Sequence, residues 1–374
     1  VKIVLARQRI GAIFGGAEGY VAMLAQALSD LGAEVHLLAQ SFDPAVVACG
    51  YPLVSVPARP THLWALWHFA GAVRRYITDH PDMPLISFDR IPGVPFIRAG
   101  DGTHDSYMGA VGIPRIHRLT PKHALMLSME RAAYTDPALR LIFANSRLVV
   151  GDLRASYGVP DQIIRILYTG LPSRPAASGS DRRSARTKLG LDAGARVLLF
   201  AGHNYERKGL PALMEALRML KTQSEFQSPA VEWTLLVAGR GDTVKYEQMS
   251  RQMGLAPRIR FLGSCPLEDV FAASDLLVLP TRYDPFARVC LEAARSGLPV
   301  VTSRRNGFAE WIEDGKGFVQ DDPMDVPRLA SILQHCHGLD LPAAGRNLRE
   351  RTSALTIEQN ARDILSAVKE SLGV

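Results

Sequence analysis

The chain opens on an apolar run, VKIVLA, rich in β-branched residues, which is the pattern of a strand buried on both faces. A glycine-bearing turn, RQRIGAIFGGAEGY, follows it. Apolar residues then recur at Val21, Leu24, Ala25, Leu28 and Leu31, spaced for one helix face. Gly32 supplies a helix stop and EVHLLAQ reads as the next strand, so the stretch to Gln40 forms one βαβ unit. LVSVP, PLISF and LRLIFANS are further strand candidates, and helices are predicted over 62–76, 121–134 and 147–157. A stretch rich in Pro, Ser, Gly and Arg places a linker over 170–180. The rhythm then restarts with strands RVLLFAG, WTLLVAG, IRFLG, LLVLP and PVVTS. Helical segments are predicted over 210–220, 246–253, 267–273 and 289–296. A last periodic segment, 357–372, carries Ile357, Ala361, Ile364, Leu365 and Val368. Two α/β units in tandem predict two doubly wound, Rossmann-like domains facing across a cleft, with ligands beyond the carboxyl ends of the strands.

The length of 374 residues agrees with that count, given roughly 150 residues per domain. Four cysteines, Cys49, Cys265, Cys290 and Cys336, lie far apart and encode neither a disulfide framework nor a CxxC zinc site, so a reducing, cytoplasmic setting is expected. The apolar opening is too short for a secretory signal. The longest nearly apolar stretch, 63–73, falls short of the roughly 20 residues that span a bilayer. Lys and Arg number 43 against 37 acidic residues, for a net charge of +6. The excess divides evenly about residue 168, so it is not a basic tail. Nucleic acid, an anionic membrane or a phosphorylated ligand would each answer such an excess. Aromatics make up only 7% of the chain and are not interleaved with basic residues as single-strand binders need, which disfavours nucleic acid.

Three stretches carry candidate chemistry. FGGAEGY (14–20) joins the first strand to the first helix, where glycines let backbone amides approach a phosphate or sugar; a tight turn without a ligand is the alternative. It is not GxGxxG, and Gln40 stands where a ribose-binding acid would end the second strand, so NAD is disfavoured. FAGHNYERKGL (200–210) sets Arg207 and Lys208 just before Gly209 and a helix, an arrangement that suits a diphosphate or is a solvated pair. PTRYDPFARVCLEAARSGLPVVTS (280–303) ends a strand in a polar loop and starts a helix near 286–288. The Phe286 and Ala287 amides would then be free for phosphate oxygens. Glu292, eight residues after Asp284, suits two adjacent ribose hydroxyls because a carboxylate only accepts, and Asp284 suits sugar hydroxyls. An N-capping Asp284 and a surface Glu292 are equally compatible with the spacing.

These pieces, with IFANS, RFLG, DPFARVCLEAARSGLPVV and NGFAEWIEDGKGF, resemble retaining glycosyltransferase family 4 of the GT-B fold, in order and almost from end to end. ISFDRIPGVPFIRAGD is similar to the lipopolysaccharide-core members of the glucosyltransferase I type. The resemblance implies an acceptor-binding domain over 1–169, a nucleotide-sugar domain over 170–355, and a final helix, 356–374, crossing back to the first domain. It implies transfer of a hexose, first of all glucose from a UDP-sugar, to a glycan acceptor such as a lipopolysaccharide-core heptose. Arg207 and Lys208 would neutralise the diphosphate in place of a metal, and no cofactor is expected. Gly15 and Gly16 would lie under the donor diphosphate or acceptor. Glu292 would hold the ribose, Asp284 the donor sugar, and the loop Pro285, Phe286, Ala287 and Arg288 the sugar or β-phosphate. Phe261 and Leu262 would border the base. Glu18, Asp101, His104 and Asp105 would face the acceptor, with Asp101 among the catalytic set of Arg207, Lys208 and Asp284. Two positions depart from the family. Asp284 replaces the usual first Glu of the E-x7-E pattern, and His203 stands where an Arg is common.

Other readings remain open at this level. A GT-B epimerase, a phosphorylase, or a silent nucleotide-sugar-binding module would carry the same motifs. HCH (335–337) and DGTHD (101–105) invite a metal, but adjacent ligands fit one tetrahedral site poorly and loop hydrogen bonding explains the second. The stretch 63–76, with Arg74 and Arg75, reads as a core-facing helix before a membrane one. From Met108 to Arg131, Arg115, His117, Arg118 and Lys122 alternate with Ile113, Ile116 and Leu119, which suits an anionic leaflet. A peripheral position on the cytoplasmic membrane face is the corresponding expectation.

Overall fold

A computed structural model describes residues 1–58, 62–173, 181–224, 232–312 and 318–373. Most of the linker stretch, 174–180, and the 313–317 part of the NGFAEWIEDGKGF motif lie outside the described residues. The chain divides into two units: Val1–Ser173 with Leu355–Val374, and Arg174–Ala354.

The first unit contains β1 (Lys2–Ala6), β2 (Arg9–Ile10), β3 (Glu34–Ala39), β4 (Ser41–Phe42), β5 (Leu53–Ser55), β6 (Leu85–Ser87), β7 (Phe96–Ala99), β8 (Leu141–Ala144) and β9 (Ile164–Ile166). Seven of them form a parallel sheet in the order β5-β3-β1-β6-β7-β8-β9, while β2 and β4 pair separately beside it. Alternation along β1 explains its unbroken apolar run. Ile3 and Leu5 enter a cluster with Val21, Leu24 and Leu28 of the helix Gly16–Asp30. Val4 and Ala6 enter another with Phe69, Val73 and Val149 from helices on the opposite face. Both faces of the strand are covered from Ile3 to Ala6, which favours an apolar residue at each of those positions, while Lys2 sits at the exposed start. The helix Ile357–Leu372 belongs to the first of these clusters through Ile357, Ala361, Ile364 and Val368. Its return is tied down locally. Leu171 bridges Thr356 in parallel, and the Asn360 amide oxygen accepts from Gly170 N–H (2.9 Å) and Tyr20 O–H (2.8 Å).

The second unit contains β10 (Arg196–Ala201), β11 (Trp233–Ala238), β12 (Ile259–Gly263), β13 (Leu276–Leu279), β14 (Val300–Ser303) and β15 (Val319–Gln320), parallel in the order β12-β11-β10-β13-β14-β15. Each sheet has one point where successive strands depart to opposite sides, between β1 and β6 in one unit and between β10 and β13 in the other. Loops at the carboxyl ends of such strand pairs are where doubly wound sheets hold ligands.

Candidate functional site

In the second unit the switch-point loops are 202–209 after β10 and 280–287 after β13. Asn204 takes a left-handed conformation (φ 59°) and its side chain accepts from Arg207 N–H at 3.2 Å, capping the single turn Tyr205–Lys208. Gly209 ends that turn at φ 88°, and a Cβ there would lie 2.1 Å from the Pro280 carbonyl oxygen. Only glycine fits so close to a backbone oxygen at positive φ. Two loops are thereby pressed together, and hydrogen bonds lace them. The Arg207 carbonyl accepts from Arg282 N–H (2.8 Å) and Thr281 Oγ1 (3.1 Å), while the Arg207 guanidinium donates to Tyr283 O at 2.7 Å.

The charged centre lies where the loops meet. Lys208 Nζ hydrogen-bonds Asp284 Oδ2, and Arg207 Nη1 stands 3.5 Å from the same oxygen. Lys208 and Asp284 are 8% and 7% exposed, so Lys208 is not a solvated cation, whereas Arg207 is partly exposed. Burial pushes the Asp284 carboxyl upward, but Lys208 and Arg207 outweigh it and hold the group below the usual carboxylate range. Asp284 is not a helix cap, because the helix runs Arg288–Arg295 with Ala287 at its N-cap. Its own backbone is fixed on both sides, donating to Arg305 O (2.8 Å) and accepting from Gly307 N–H (3.0 Å).

Two of the sequence expectations need correction. The Ala287 N–H is not free for a phosphate: it donates to Asn306 Oδ1 at 3.0 Å. The Phe286 N–H faces the Asp284 carboxylate. Asn306, which the sequence reading passed over, is 1% exposed and fully used. Its Oδ1 also accepts from Phe308 N–H (3.1 Å), and its Nδ2 donates to Thr302 Oγ1 (3.0 Å). An Asn before Gly past a strand is an ordinary turn signal, so nothing local marks its burial. Pro285 and Arg288 flank these residues on the loop and first helical turn. Arg288 Nε contacts Glu292 Oε1 at 2.8 Å, and both side chains are partly exposed. Phe261 and Leu262 lie on the edge strand β12, with the Phe261 ring 6.4 Å from that of Tyr205. His203 Nδ1 accepts from Arg240 N–H at 3.0 Å. Burial, then Arg240 and Lys208, lower its pKa, so a neutral ring carries its proton on Nε2.

In the first unit Gly15 caps the helix that begins at Gly16, and a Cβ on Gly15 would lie 2.8 Å from the Glu18 carboxylate. Arg7, directly after β1 and also missed, gathers the neighbouring acids. Its buried guanidinium donates to Asp101 Oδ2 (3.1 Å) and Phe88 O (3.2 Å) and stands 3.6 Å from Glu18. Its place at the carboxyl end of the first strand was a usable signal. Glu18 and Asp101 are therefore brought together. His104 and Asp105 are not. His104 Nε2 hydrogen-bonds His123 Nδ1 at 2.8 Å, and Asp105 pairs with Arg118 at 2.7 Å. Below them Glu130, fully buried, takes Arg90 Nε at 2.6 Å and two bonds from His104 N–H. His335 and His337 end the helix Val326–His337, the latter edge-on to Trp233. Among the described residues no group of three or more His, Cys, Asp or Glu is arranged to hold a metal. Nor is any described helix long and apolar enough to cross a membrane.

Comparison with known proteins agrees with this layout. The family described as Glycosyltransferase Family 4 matches residues 14–173, and that described as Glycosyl transferases group 1 matches 181–335. The lipopolysaccharide glucosyltransferase WaaG of Escherichia coli is 24% identical over 327 residues, covering 86% of each chain. A D-inositol 3-phosphate glycosyltransferase of Corynebacterium kroppenstedtii is 28% identical over 246 residues, covering 63% of this chain and 54% of its own. Among solved structures, WaaG superposes with a TM-score of 0.82 at 21% identity, covering 98% of this chain and 99% of its own. Anabaena HepE in complex with UDP-glucose gives 0.74 at 19% identity, covering 99% of both. With the two family domains in order on a GT-B fold, the chain belongs to glycosyltransferase family 4.

Proposed function

We propose that the protein is a retaining hexosyltransferase that moves glucose from UDP-glucose to a hydroxyl of a cell-envelope glycan. The observation that carries the reading is the pair of cations, Lys208 and Arg207, held at the switch point of the second unit by a glycine that nothing else can replace. Fixed cations at a departing diphosphate stabilise charge that grows in the transition state, without a bound metal. The bond from the anomeric carbon to the β-phosphate oxygen breaks as one to the acceptor oxygen forms. The acceptor proton passes to the leaving phosphate oxygen. Asp284 then addresses sugar hydroxyls, Glu292 the ribose and Phe261 with Leu262 the base, while Glu18 and Asp101 serve the acceptor. The UDP-glucose complex of HepE and the likeness to WaaG support the donor and a lipopolysaccharide-type acceptor.

The segment Arg115–Leu119 supports a peripheral membrane position, since Ile116 and Leu119 are 67% and 75% exposed beside Arg115 and Arg118. A thermal-shift panel tests the donor: UDP and UDP-glucose raise the melting temperature, and GDP and ADP do not. Equal stabilisation by all three nucleotides would overturn the uracil assignment. Sedimentation with vesicles tests the membrane contact, which is expected with anionic lipid and absent with zwitterionic lipid.

A further inference from the structure

Lys208 and Arg207 converge on one oxygen of one buried carboxylate. Any diphosphate that engages these cations comes to lie beside the Asp284 carboxylate, like charge against like in a poorly solvated place. Asp284 cannot retreat by moving its backbone, which is bonded to Arg305 and Gly307 and underlain by the buried Asn306. The cations have the freedom. Lys208 carries its ammonium on a flexible stem that runs over Gly202, and Arg207 has further N–H donors beyond the one spent on Tyr283 O.

Resting on the nucleotide-sugar reading above, we propose that Asp284 is an internal counter-ion that the donor's diphosphate displaces from Lys208. The carboxylate keeps a buried lysine charged and paired until phosphate replaces it. Once displaced, its lone pairs face the donor sugar, so phosphate recognition unlocks sugar recognition at the same residue. The exchange explains why an acid rather than an amide occupies the position. An amide would accept from sugar hydroxyls but would leave Lys208 without a counter-charge.

Calorimetry with UDP and with inorganic pyrophosphate tests this on the full chain. Asp284→Asn removes the competing charge and is expected to bind both ligands about tenfold tighter while turnover falls about a hundredfold. Asp284→Glu keeps the charge and is expected to show no gain in affinity. In a Lys208→Met background the gain from Asp284→Asn is expected to shrink to about threefold or less. Asp284→Ser is measured alongside in case the Asn variant does not fold. If wild type binds UDP or pyrophosphate and the neutral variants bind no tighter, the displacement is wrong and the donor reading stands. If wild type binds neither of them nor any other nucleoside diphosphate, both fall.

Discussion

Lys208 is the residue on which most of the chemistry turns. Truncating it removes one of two cations at the site proposed for the leaving diphosphate. Lys208→Ala is expected to lower turnover by about a hundredfold or more, the scale of losing one preorganised electrostatic contact. Wild-type-like turnover in that variant would remove the phosphate assignment. Asn306 makes a different demand. Its oxygen satisfies the buried amides of Ala287 and Phe308, so Asn306→Ala leaves two donors unpaired. A loss of about 2–4 kcal/mol in urea unfolding is expected. The two residues also differ in how visible they were beforehand. Arg-Lys-Gly after a buried strand announces itself through charge and a glycine that must follow it. Asn306 has no such signature, because what sets it apart is the Ala287 amide, 19 residues earlier in the chain, which meets its oxygen only once the chain folds.

At the level of elements, the strongly periodic or unbroken apolar segments were legible. The helices at 121–134, 147–157 and 357–372 start and stop where their periodicity does. What escaped notice was short, or polar at its centre. β7 (Phe96–Ala99) is four residues long and contains Arg98, which is 3% exposed and donates to Phe143 O and Thr169 Oγ1. A buried arginine in a parallel strand breaks the apolar pattern by which such strands are recognised. The helix His104–Ala110 was likewise read as loop chemistry, whereas His104 is locked to His123 across to the helix Pro121–Tyr134. Burial first, then Arg90, His123 and Lys122, against the smaller opposing pull of Asp105, lower His104 to about 4. An unfolded histidine titrates near 6.5, roughly two units higher. The unfolded chain therefore takes up a proton that the folded one refuses as the pH falls from about 6.5 towards 4. Stability present above that window is lost within it. The melting temperature is expected to fall between pH 7 and pH 4.5, and His104→Asn is expected to flatten that slope. An unchanged slope would place the acid sensitivity elsewhere.

For the molecule as a whole, the sequence made the tandem α/β plan and the family legible, because a glycine-bearing strand-to-helix turn recurs in each half and the family's motifs follow in order. The partition of acceptor-side residues was not legible. Asp101, His104 and Asp105 are neighbours in the chain, yet their side chains join three different networks, and sequence proximity carries no information about that. The route of the chain between the units also has physical consequences. The last helix, Ile357–Leu372, completes the core of the unit that began at residue 1. A chain ending at residue 354 is expected to lose slow amide hydrogen exchange in the helix Gly16–Asp30, while amides of β10 and β11 stay protected. Unchanged protection in Gly16–Asp30 would show the last helix to be dispensable there.

That arrangement also sets a timetable for synthesis. The segment 174–354 is continuous, so the ribosome delivers everything that unit contains before residue 355 emerges. The unit started first is finished last. Until the final helix arrives, the surface that will receive it, which lies on the helix Gly16–Asp30 and includes Tyr20, is an open face on a nascent chain. Aggregation or chaperone capture during expression therefore depends on how quickly translation covers the middle of the gene. Slowing codons placed within the middle unit lengthen the exposure of the first.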